Sequence, residues 1–112
     1  MLKVANELRQ LVEKVLPELG EISDDKASLP REPGKWTRKE VLGHLIHSAC
    51  NNQQKFVRTM DEDGLEFPGY KEEFWIASQK YNSADWGGLI ALWHTYNLHI
   101  VHIIEHVEPK LL

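Results

Sequence analysis

Three long stretches of this chain repeat apolar residues at the three-and-four spacing of a single helical face. That periodicity constrains the fold more than any other feature. In the first stretch, Leu2, Ala5, Leu8, Leu11, Val12, Val15, Leu16 and Leu19 predict a helix over 2–20. Pro17 would loosen its last turn and Gly20 would stop it. In the second, Val41, Leu42, Leu45, Ala49, Phe56, Val57 and Met60 predict a helix to about residue 61. In the third, Trp86, Leu89, Leu92, Trp93, Tyr96, Ile100, Ile103, Ile104 and Val107 predict another. No segment alternates with the period of a strand, and there is no internal repeat. With 112 residues and 42% apolar content, the chain can bury one core, so 1–112 reads as a single all-α domain.

Local signals divide the helices. Residues 21–36 form a connector with Pro30, Pro33 and Gly34, in which Ser23-Asp24-Asp25 could start one short turn. Thr37-Arg38-Lys39-Glu40 is a capping box, and Trp36 with Val41 is placed for a hydrophobic staple. Asp61-Glu62-Asp63-Gly64 ends the second helix, and Phe67-Pro68-Gly69 continues as loop. Residues 71–80 predict a short helix with Phe74, Trp75, Ala77 and Ser78 turned inward. Asn82 or Ser83 would cap the third long helix, and Pro109 would stop it. Gly87 and Gly88 in its first turns cost about 1 kcal/mol each against Ala, which a close-packed backbone or ring would justify. This helix is apolar over much of its circumference, which calls for a further covering surface.

Charge excludes several functions. A formal net charge of -4 argues against a nucleic-acid surface, which needs clustered Lys and Arg. There is no P-loop, dinucleotide fingerprint or hydrolase elbow. Cys50 is the only cysteine, so no intrachain disulfide and no Cys-based zinc site can form; it reads as a small buried residue. The N-terminal segment alternates charged and apolar residues, unlike a signal peptide. No apolar run reaches the ~20 residues of a membrane span. The expected setting is cytoplasmic, with no membrane partner.

The chemistry lies in six histidines, all on predicted long helices. His44 and His47 share a face of the second helix, while His99, His102 and His106 form a stripe on the third. Imidazoles from facing helices are the usual donors of a metal site in a bundle. The competing reading is ordinary: a helical histidine is mostly a surface residue. His94 and His106 read as solvated, and His44 lies on or beside the core-facing edge. Asn51, Asn52 and Arg58 are the other polar candidates, with Asn52 read as a structural amide at a helix contact. Trp36, Trp75, Trp86 and Trp93 read as core and cap residues.

The stretch Pro33-Gly34-Lys35-Trp36-Thr37-Arg38-Lys39-Glu40-Val41-Leu42-Gly43-His44-Leu45-Ile46-His47-Ser48-Ala49-Cys50-Asn51-Asn52, continuing through Gln54-Lys55-Phe56-Val57-Arg58, resembles the DinB-like superfamily, close to its YfiT-like hydrolases and thiol transferases. The segment Leu92-Trp93 through Tyr96-Asn97, with His99, His102 and His106, is similar to the family's third long helix. The resemblance implies an up-down-down-up four-helix bundle, here shortened to three long helices plus a short one. It also implies a divalent metal, zinc or nickel, held by one histidine of the second helix and two from an H-x-x-x-H on the last helix. His44 matches the first ligand. The last helix that would carry the other two has no counterpart before Leu112, and His47 stands where relatives often carry Asp.

Two functions are therefore expected. One is a metal-dependent hydrolase or thiol transferase acting on a small molecule, with an incomplete site. Its candidate metal residues are His44, His47 and His102, with Asn51 or Asn52 in support. The other is a non-catalytic module whose bundle is completed by a second copy, as a homodimer, or by a partner helix.

Overall fold

The computed structural model describes residues 2–61 and 71–107. The expected loop at Phe67-Pro68-Gly69, the stop at Glu62–Gly64 and the stop at Pro109 lie outside the described residues. Five α-helices appear among those described: α1 (Leu2–Gly20), α2 (Asp24–Ala27), α3 (Arg38–Asp61), α4 (Glu72–Gln79) and α5 (Trp86–Glu105). A 3-10 turn over Tyr81–Ser83 joins α4 to α5. The described residues form no strand, only an isolated antiparallel bridge between Pro30 and Thr37 that closes the connector.

The local signals act as the sequence predicts at α2 and α3. Ser23 caps α2, its hydroxyl accepting from the backbone N–H of Lys26. In the capping box, Thr37 N–H donates to Glu40 at 3.0 Å and Glu40 N–H donates to Thr37 Oγ1 at 3.1 Å. Pro17 sits inside α1, which nonetheless runs on to Gly20.

Helix α5 is the spine, packing along both α1 and α3. Arg9 pairs with Glu105 while the Trp86 indole donates to the Leu19 carbonyl, so α1 runs antiparallel to α5. Leu42 and Ile46 share a core with Trp86, Leu89 and Trp93, while Ala49 shares one with Ile100 and Ile104, so α3 runs parallel to α5. The order is up-down-down. Two parallel neighbours need a crossover, and α4, packed on α3, lies within it.

Four expectations change. Asp85, not Asn82 or Ser83, caps α5: its carboxylate accepts from Gly88 N–H at 2.8 Å. The 3-10 turn consumes residues 81–83, and Asn82 instead accepts from the Thr37 hydroxyl. On α4, Ile76 is the buried residue; Phe74 is 66% exposed, and Ala77 and Ser78 face out. A helix this short presents a narrow face to α3. Leu11, Leu45 and Leu92 belong to the apolar stripes but stay exposed, because α1 and α3 each pack on α5 rather than on each other. The close approach expected at Gly87 and Gly88 occurs instead at Gly43, where an added Cβ would overlap the Tyr81 ring.

Candidate functional site

The first turns of α3 set the site. The capping box fixes where the helix starts, and three- and four-residue spacing then brings His44 and His47 to one side, facing α4. Their rings meet edge-on, centroids 5.2 Å apart. His44 is half-buried, with the Trp36 ring 5.6 Å away. Its Nδ1 lies 2.9 Å from Glu72 Oε1 on α4, at ion-pair distance but off the line of a hydrogen bond.

His47 has a different environment. It is buried, with Nδ1 2.9 Å from the Tyr81 hydroxyl and 3.4 Å from Gln79 Nε2. Trp75 and Tyr81 flank its ring. Burial pushes its pKa below the ordinary imidazole value, and neighbouring His44 pushes the same way, against an opposing pull from Glu72. His47 is thus favoured as a neutral imidazole built into the α3–α4 contact.

His102 is not brought to this pair. It lies at the opposite end of the bundle, towards the Ile100–Ile104 core, in an exposed row with His99 and His106. His94 is half-buried rather than solvated, its Nε2 3.4 Å from Glu13 Oε1 on α1. Asn52 is exposed and not at a helix contact, whereas Asn51 is half-buried and donates to the His47 carbonyl at 3.0 Å. Arg58 is exposed and Cys50 half-buried. Beside Cys50, Tyr96 hydrogen-bonds Gln53, and desolvation pushes the phenol up to about 12, with Cys50 adding to the shift. A phenol that holds its proton so firmly is no base for activating a thiol.

Glu72 and Tyr81 are the neighbours of the His44–His47 pair that spacing does not reveal. Each is far from His44 in sequence, and only the return of the chain through α4 brings them together. Among the described residues, no group of three or more His, Cys, Asp or Glu side chains could hold a metal ion.

Comparison with known proteins adds to this geometry. Over 90 residues, 80% of the chain, the sequence is 28% identical to YfiT of Bacillus subtilis (strain 168), described as a "putative metal-dependent hydrolase". The chain is a homologue of YfiT. The solved structure of YfiT, described as "a probable metal-dependent hydrolase with an unusual four-helix bundle topology", superposes with a TM-score of 0.78 at 22% identity. That match covers 96% of this chain and 63% of the YfiT chain, and it bears on fold. By sequence, the chain spans 47% of the length of YfiT. No family model matches the sequence. No helix among the described residues is long and apolar enough to cross a membrane.

Proposed function

We propose that this YfiT homologue is a DinB-like module of the metal-dependent hydrolase type, and that His44 is its metal-ligating residue. The observation that carries the reading is the pairing of His44 Nδ1 with Glu72. Metal-bound imidazoles commonly set their second ring nitrogen against a carboxylate, which fixes the tautomer and the ring. A carboxylate 2.9 Å from Nδ1 would favour the proton there once the ring turns into line with it, which would leave the Nε2 lone pair as the donor. Trp36 and His47 brace the ring, and Tyr81 braces His47.

The described residues do not by themselves fit a complete centre. A catalytic zinc uses three protein ligands and an open position, and here His44 supplies one. The reading takes 1–112 as one domain, working in the cytoplasm on a small-molecule substrate. Its test is titration of tag-free protein with Zn2+ or Ni2+ by calorimetry. His44→Ala should weaken one binding step by at least about tenfold, as loss of a supporting partner alone does. Unchanged binding in that variant would remove the reading.

A second reading, self-association, is favoured by the groove between α1 and α3. It has a volume of about 220 Å3 and is lined by Val15, Leu19, Ile22, Leu42, Leu45 and Trp93 among others, with Arg31 and Arg38 at its edge. Its apolar lining is what a second copy would cover.

A further inference from the structure

We infer that His102 and His106 form a second, surface-exposed chelating site for a late first-row divalent cation such as Cu2+, Ni2+ or Zn2+. His102 stands in the last turn of α5 and His106 is the residue that caps it, four positions on, where the backbone leaves the helix and folds its side chain back towards His102. Their ring centroids are 4.3 Å apart. That separation is short enough for one ion at ordinary imidazole bond length, about 2.0–2.1 Å, to be shared by the two rings once their free nitrogens turn towards it.

The tautomer is prepared as well. His106 Nδ1 lies 2.8 Å from the His102 carbonyl oxygen, an acceptor that requires the proton on Nδ1. Nε2 of His106 is thereby left with its lone pair free to bind, the tautomer that a second-nitrogen hydrogen bond selects in histidine ligands of metal sites. Both side chains are exposed, so an ion can arrive without any opening of the core. Glu105 between them is turned to Arg9 on α1 and does not compete for His102 or His106. Imidazole donors favour Cu, Ni and Zn over Mg and Ca, and affinity peaks at Cu2+. Two protein ligands leave the remaining positions to water.

This site is independent of His44, which lies at the other end of the bundle. The test is calorimetric titration of tag-free protein with Cu2+ and Ni2+, for wild type, His102→Gln, His106→Gln, His94→Gln and His44→Ala, with helicity checked by circular dichroism. Deleting a ligand should cost at least the roughly 10–100-fold that loss of a supporting partner costs. His102→Gln and His106→Gln should each weaken one binding step by that much at unchanged helicity. His94→Gln and His44→Ala should leave that step intact. Cu2+ bound there should show coupling to two nitrogens in its paramagnetic resonance spectrum. Equal affinities in wild type and the two α5 variants, or loss of the step in His44→Ala alone, would overturn the inference.

Discussion

Lys39 Nζ lies 2.8 Å from Asp24 Oδ1, with the lysine side chain only 3% exposed and the aspartate half-exposed. The same ammonium donates to the carbonyls of Ala84, at 2.6 Å, and Asn82, while the other aspartate oxygen accepts from Trp86 N–H. This joint ties α2 and the start of α3 to the entry of α5. It therefore holds the start of α3, five residues before His44, against the segment that follows α4.

Lys39→Met should cost about 1–3 kcal/mol, because the carbonyls it serves lose their donor in a dry setting. Asp24→Ala should lower the melting temperature further, since it strands a buried ammonium without its carboxylate. Thermal melts of the two variants check the order; a larger loss in Lys39→Met would show that the pair does not act this way.

Acid should act through the same pair. The hydrogen bond from Lys39, followed by that from the Trp86 backbone, holds the Asp24 carboxyl below its ordinary 3.8. A depressed folded pKa gives stability that is complete above the unfolded value and lost as pH falls through the folded one. Urea midpoints measured from about pH 5 down to about pH 2.5 should fall more steeply for wild type than for Asp24→Asn. Parallel curves would contradict the assignment.

Two glycines should respond with opposite signs. Gly43→Ala drives a methyl into the Tyr81 ring and should cost about 1–3 kcal/mol by overpacking. Gly88→Ala places its Cβ 3.5 Å from Asp85 Oδ2, an ordinary contact, and should stabilise by up to about 1 kcal/mol. Chemical denaturation of the two variants measures both.

The groove makes a prediction about assembly. If a second copy covers it, light scattering of wild type should give twice the chain mass, and Leu45→Glu on its wall should give a monomer. A wild-type monomer at working concentration would exclude self-association through this face.

The sequence was most legible where physics is local. Helical periodicity placed α1, α3 and α5, and the Thr37–Glu40 box marked the start of α3 because both partners lie within one turn. The cap of α5 is not legible in the sequence because the Lys80–Ser83 turn, with Lys80 at φ 53, carries no glycine to announce it. The outward turn of Phe74 is not legible either, because an eight-residue helix has too few apolar residues to define a face. At the site, His44 and His47 could be paired by their spacing. Glu72 and Tyr81 could not, because sequence-distant contacts leave no period. Nor could spacing alone show that His102 belongs to the other end of the bundle, since that depends on α3 and α5 running parallel.

The most direct test of His44 as a ligand braced by Glu72 is a long-range proton–nitrogen spectrum of the six imidazoles, recorded during titration of tag-free protein with Co2+. The account predicts a His44 ring protonated on Nδ1 before metal is added. Its Nε2 should then broaden selectively, separately from a second response at His102 and His106, with His94 unaffected. A His44 resonance that stays sharp under excess Co2+ would contradict it.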